Sequence, residues 1–183
     1  MGIPSFFSHL VKNHGKIIKK INYLKKPINN LYLDSNSIIY DSYYSIKNEY
    51  NGNNDVFEKK LIIKVCKKIE EYILELKPNN RVIIAYDGVA PVAKMEQQRN
   101  RRYKSMLERI LKKKLNIESN KDEWKTTAIT PGTNFMKKLD IMTEDYFNNN
   151  EKRYGLNEIV VSGTNIPGEG EHKLFEKIRE DKN

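Results

Sequence analysis

The chain has 183 residues, 38% of them hydrophobic and 31% charged, which suits one domain with a real core and a large solvated or ligand-facing surface. Its net charge of +9 and pI near 9.4 point to an anionic partner. A single cysteine, Cys66, excludes a disulfide framework and offers no zinc-ligand spacing; no run of about 18 apolar residues is present to span a bilayer, and Met1–Phe7 is too short an apolar start for a signal peptide, so a cytoplasmic protein (or a nuclear one) with no membrane partner is expected.

The basic charge is uneven. Residues 1–33 carry Lys12, Lys16, Lys19, Lys20, Lys25 and Lys26 and no acid. Residues 5–14 read as a short helix with Phe6, Phe7, Leu10 and Val11 on one side. Ile28–Leu33 reads as a strand ending at Asp34. Asp55 and Glu58 have the spacing of a capping box, and Leu61, Ile62, Val65, Ile69, Tyr72, Ile73 and Leu76 follow at helical spacing until Pro78. Cys66 falls in this apolar pattern as a small buried hydrophobe. Arg81–Tyr86 is a continuous apolar run of the kind found in a sheet covered on both faces. Residues 92–118 look helical but nearly polar all round, the pattern of a helix that projects or lies along a charged ligand. Thr130-Pro131-Gly132-Thr133 makes a turn and helix start, with Phe135, Leu139, Met142 and Tyr146 behind it. Glu158–Ser162 is a third strand, and the loop 163–168 leads to a last helix carrying Leu174, Phe175 and Ile178. Strands separated by helices predict an α/β fold with a mainly parallel central sheet.

Asp34, Asp87, Glu169 and Glu171 all follow strand ends, the edge where sites gather in open α/β sheets. Hard carboxylate oxygens suit Mg²⁺ or Mn²⁺, and a pair of such ions can activate water and stabilise a leaving oxygen at a phosphodiester. Each acid alone is also explained as a turn former, a cap or a partner of a helix dipole. Lys94, Gln98, Arg101 and Arg102 share one helical face, and arginine forks with a lysine point charge bind phosphate. From Lys94 to Lys125, eleven basic residues face five acidic ones, a net of +6 in 32 residues, which suits sequence-independent contact with a nucleic acid backbone. Tyr40 and Tyr43 follow Asp34; either could stack on a base or pack in the core. A cation cluster beside a metal site is the chemistry of a nuclease or of another phosphoryl-transfer enzyme.

Five blocks occur in order: Met1–Phe7; Leu31-Tyr32-Leu33-Asp34-Ser35-Asn36-Ser37-Ile38-Ile39; Ala85-Tyr86-Asp87-Gly88-Val89-Ala90-Pro91 with Ala93-Lys94-Met95 and Gln97-Gln98-Arg99; Ile129–Thr133 with Phe135-Met136; and Ser162-Gly163 with Ile166–Lys173. Together they resemble the amino-terminal part of the Xrn-type 5′→3′ exoribonucleases, over essentially the whole chain. The resemblance implies a PIN-like, 5′-nuclease fold and magnesium-dependent degradation of single-stranded RNA bearing a 5′ monophosphate. It implies metal-site roles for Asp34, Asp87, Glu169 and Glu171, a 5′-phosphate pocket at Lys94, Gln98, Arg101 and Arg102, and a long projecting helix starting within residues 92–118.

Two departures stand out. The family usually has His where this chain has Tyr40, the position that stacks on the terminal base; Tyr keeps the ring and loses the imidazole charge. The family's catalytic region also continues beyond the point matching Asn183, with further aspartates, another portion of sheet and an aromatic that completes the base sandwich. Residues 1–183 are therefore expected to be the amino-terminal segment of a catalytic domain, with the remaining segment as its partner. An end-binding module, or half of a split enzyme, is the alternative.

Overall fold

The computed structural model of the chain describes residues 5–18, 21, 26–115 and 123–180, without the side chains of Ala93, Arg101, Arg109 and Lys113. Met1–Pro4, Lys19, Lys20, Lys25, Lys121 and residues 116–118 of the expected long helix lie outside the described residues.

The elements are α1 (Phe6–Asn13), β1 (Asn30–Asp34), α2 (Asn36–Ile46), α3 (Asn54–Leu76), β2 (Arg81–Ala85), α4 (Val92–Lys114), α5 (Asn134–Phe147), α6 (Glu151–Tyr154), β3 (Glu158–Ser162) and α7 (Gly170–Glu180). The strands form one parallel sheet in the order β1-β2-β3. Parallel neighbours need crossovers, and α2–α3 and α4–α6 supply them. Asp34 pairs with Ala85, and Ala85 with Ser162, so all three carboxyl ends lie level on one edge.

The apolar run of β2 is covered on both faces, as predicted. Val82, Ile84 and Tyr86 enter the main core with Ile39 of α2, Leu61 and Ile62 of α3 and Leu139 of α5. Ile83 and Ala85 face the other way, onto Leu174 of α7. Full burial of each such Ile or Leu contributes about 1.5–3 kcal/mol. Cys66 is buried in the main core, as expected.

Several local readings change. The cap of α3 is Asn53, whose side chain accepts from the Val56 N–H; Asp55 and Glu58 instead take the Lys138 ammonium at 2.7 and 2.8 Å. The helix ends at Leu76, capped by Lys77 in the left-handed region at φ 48, just before Pro78. The expected start of α5 holds, with Thr133 as its cap. In α7 only Leu174 of the expected apolar trio is buried, while Phe175 is exposed. The helix α1 forms where its spacing predicts but buries none of its residues. α4 is not polar all round: Tyr103, Met106, Leu107, Ile110 and Leu111 recur at helical spacing in its second half and are all exposed. No helix among the described residues is long and apolar enough to cross a membrane.

Candidate active site

Backbone pairing between two loops assembles the acidic edge. The Gly88 N–H donates to the Gly168 carbonyl at 2.8 Å, and the Gly168 N–H donates back to the Val89 carbonyl at 3.1 Å. The loops are so close that a Cβ on Gly88 would fall 1.8 Å from the Ile166 carbonyl oxygen. This brings the chain after β2, with Asp87, against the chain after β3, with Glu169 and Glu171. The start of α7 then reaches the end of β1: a Cβ on Gly170 would lie 2.8 Å from Asp34 Oδ1. Glycine is required at Gly88, where the obstructing atom is backbone, whereas at Gly170 it gives room to the Asp34 carboxylate.

Asp87 is held by three hydrogen bonds to two partners. The Gly170 N–H donates to its Oδ1 at 2.7 Å, Asn36 Nδ2 donates to its Oδ2 at 2.5 Å, and its own N–H donates to Asn36 Oδ1 at 3.1 Å. Asp34 lies beside it. Burial first, then the charge of Asp87, push the Asp34 carboxyl above the ordinary carboxylate range; Glu171 and Glu169 add to this, and the Asn36 backbone N–H partly offsets it. Asp34 therefore feels the charge of the other three predicted acids. Uncompensated carboxylate charge is what a divalent cation relieves, and hard oxygen donors are what Mg²⁺ or Mn²⁺ takes, so the residues fit such an ion. The cluster is open: among the described residues no three His, Cys, Asp or Glu side chains converge into a ready cation site.

The predicted phosphate-binding residues divide. Gln98 and Arg102 line a cleft of about 1010 Å³ between α2, α4 and residues 123–130. Lys94 is turned instead onto Glu169, with Nζ 3.0 Å from Oε2. Arg102 donates to Thr130 Oγ1 at 3.0 Å. Arg101 follows Gln98 on α4, and its side chain is outside the described set. Tyr40 is half-buried and lines the same cleft; Tyr43 also borders it but is buried in the core, edge-on to Phe57. Asn36 and Asp87 line the cleft as well, so it adjoins the carboxylates.

Sequence reasoning missed Asn36, Tyr44, Lys47 and Tyr103 on the cleft wall, and two supports beneath the acids. Lys173 is buried, its ammonium donating to the Tyr86 and Gly163 carbonyls at 2.8 Å each, which ties the ends of β2 and β3 together. Burial draws this lysine below its ordinary range, against the charges of Asp140 and Asp87. Asp140 is buried on α5 and accepts from the Thr164 N–H and hydroxyl. Both left a trace in the sequence. A lysine in the first turn of a helix opposes the helix dipole, and Asp140 interrupts the apolar face of α5.

The whole chain, residues 1–183, matches the family model described as XRN 5′-3′ exonuclease N-terminus. The chain belongs to this family. The XRN chain is 35% identical to 5′-3′ exoribonuclease 1 of Saccharomyces cerevisiae, a match covering 98% of the chain and 12% of the relative. It is 33% identical to 5′-3′ exoribonuclease 1 of Homo sapiens over 100% of the chain and 11% of the relative. It is 31% identical to the protein of that name in Schizosaccharomyces pombe, over 100% of the chain and 14% of the relative. The XRN chain thus spans 11–14% of the length of these relatives. Its parallel sheet flanked by helices agrees with the PIN-like, 5′-nuclease architecture that the resemblance implied.

Proposed function

We propose that this chain is the amino-terminal, site-bearing segment of a 5′→3′ exoribonuclease acting on single-stranded RNA with a 5′ monophosphate. One observation supports this above the others: Asn36 and Asp87 belong both to the carboxylate cluster and to the wall of the cleft that holds Gln98, Arg102 and Tyr40. A site that recognises a chain end is thereby adjacent to one that can cut.

Asp34, Asp87, Glu169 and Glu171 would hold Mg²⁺ or Mn²⁺, which supplies an activated water and neutralises charge at the scissile phosphate. The remaining work falls to the protein. Arg102, with Arg101 beside it in sequence, offers fork geometry to the terminal phosphate; Gln98 adds amide donors and Lys94 a point charge. Tyr40 stacks on the first base without sequence preference. Tyr40 stands four residues along α2 from Asn36, about 6 Å of helix rise, so a base resting on it directs the following phosphodiester toward Asp34 and Asp87. Lys173 and Asp140 keep the loops of Asp87 and Glu169 at fixed separation.

Hydrolysis of a 5′-monophosphorylated RNA with Mg²⁺ and with EDTA, beside a 5′-hydroxyl control, tests the reading. Magnesium-dependent release of mononucleotides from the phosphorylated RNA alone supports it. Equal activity on both ends sinks the phosphate pocket. The open carboxylate cluster favours a second reading, an end-binding segment that cuts only with the remaining part of the catalytic domain. Tight binding to phosphorylated ends without cleavage is the outcome that selects it.

A further inference from the structure

The Lys94–Glu169 ion pair joins the two halves of the site. Its N···O distance is 3.0 Å, with the two side chains 28% and 16% exposed. Lys94 lies in the first turn of α4, where its backbone N–H bonds the Pro91 carbonyl. Glu169 directly precedes α7, and its carbonyl accepts the His172 and Lys173 N–H groups. Each partner is therefore fixed at a helix start, one after each of the loops paired at Gly88 and Gly168. In the function proposed above each has a different ligand, the terminal phosphate for Lys94 and the cation for Glu169.

We infer that the Lys94–Glu169 pair is a latch that couples the two sites, so that a 5′ phosphate and a divalent cation each tighten binding of the other. The inference rests on the function proposed above. A phosphate that takes Lys94 alone leaves a half-buried carboxylate without its counter-charge, and a cation that takes Glu169 alone leaves a half-buried ammonium without one. When both bind, neither charge is stranded. Linkage makes the effect reciprocal. It also adds a layer to end selection. A 5′-hydroxyl end has no charge with which to draw Lys94 away, so Glu169 stays engaged and the cation site stays weak. Discrimination between chain ends then appears in metal affinity as well as in RNA affinity.

Adenosine 5′-monophosphate and adenosine are suitable probes, since neither has a phosphodiester to cut. The first measurement needs no metal. In EDTA, Glu169→Gln in the 183-residue chain should tighten the monophosphate by about fivefold or more, the lower end of typical coupling. In a Lys94→Met background the same change should have less than about a twofold effect. Equal tightening in both backgrounds would mean simple removal of a negative charge, and the latch would be refuted; no tightening in the wild-type background refutes it too. In the second measurement, Mg²⁺ affinity by calorimetry should rise with saturating monophosphate and not with adenosine. An unchanged Mg²⁺ affinity overturns the inference. Unfolding curves establish that each variant is folded, and Lys94→Gln repeats the cycle if Lys94→Met is not. Should the wild-type chain bind the two probes equally, the phosphate pocket fails and the latch with it. A preference for the monophosphate with no coupling defeats the latch alone.

Discussion

Gly88 and Gly168 are joined by a 2.8 Å backbone hydrogen bond that carries the loop of Asp87 onto the loop of Glu169. No side chain can be added at Gly88 without moving one loop, because the obstructing atom is a backbone carbonyl oxygen. Gly88→Ala should cost about 1–3 kcal/mol, as overpacking does, lowering Tm by about 2–4 °C per kcal/mol for a chain of this size. It should also weaken divalent-cation binding, since the loops carrying Asp87 and Glu169 would be displaced relative to each other. Thermal unfolding with and without Mg²⁺ checks both; a variant with wild-type Tm and Mg²⁺ response would contradict the loop-pairing account.

Burial, and then the charge of Asp87, disfavour the ionised form of Asp34, so a cation bound there would stabilise the fold. Mg²⁺ at 100 times its Kd should add about 2.7 kcal/mol to unfolding free energy, and EDTA should remove that gain. Asp34→Asn should abolish the Mg²⁺-dependent shift while leaving the metal-free protein at least as stable as wild type, because one source of buried charge repulsion is gone. Thermal scans across a Mg²⁺ titration decide it.

Arg102 and Tyr40 should affect different parts of an RNA end. Arg102→Met should lower the preference for 5′-phosphate over 5′-hydroxyl RNA by about 1.5–3 kcal/mol, the range for hydrogen bonds to charged groups. Tyr40→Ala should leave that preference in place and weaken binding by about 1–3 kcal/mol, the range for one stacked base. The loss at Tyr40 should disappear when the first nucleotide is abasic. Fluorescence anisotropy with the four RNA ends separates the two roles.

Away from the site, Glu70 accepts hydrogen bonds from the Tyr146 and Tyr154 hydroxyls, each at 2.8 Å, and pairs with Arg153 at 3.1 Å. Burial raises its pKa, but the two tyrosines and the arginine outweigh it and hold the carboxyl below its usual 4.5. A depressed carboxylate stabilises the fold above its unfolded value, and that contribution is lost as pH falls through the folded value. Glu70→Gln should therefore reduce stability at pH 7 by about 1–2 kcal/mol and flatten the decline below pH 4.5. Cys66 supplies the alkaline counterpart. Burial pushes its thiol up to about 11 from 9.0, so its contribution is whole below pH 9.0 and fades as pH rises toward 11. Urea melts across the pH range measure both windows.

Much of this architecture could be read along the chain. β2 is so uniformly apolar that burial on both faces was the only economical reading, and the strand ends at Asp34 and Ser162 followed from the apolar runs before them. α2 was harder. Its buried Ile38, Ile39, Ser42, Tyr43 and Ile46 carry helical spacing, but β-branched and tyrosine-rich stretches also suit a strand. The capping box at Asp55 and Glu58 failed because both carboxylates found the Lys138 ammonium, 80 or more residues away in sequence.

By itself the sequence determined a basic α/β chain with four carboxylates behind its strands and a cationic, amide-bearing helix face, since strand ends, turns and helical faces are local properties of a few residues. Only the tertiary structure decided that Lys94 engages Glu169 instead of the cleft, that Asn36 locks Asp87, and that buried Lys173 joins β2 to β3. Each of these pairs residues far apart in the chain. Their meeting depends on parallel strands aligning in register and on Gly88 letting one loop's backbone approach the other's, and neither is written in any one segment.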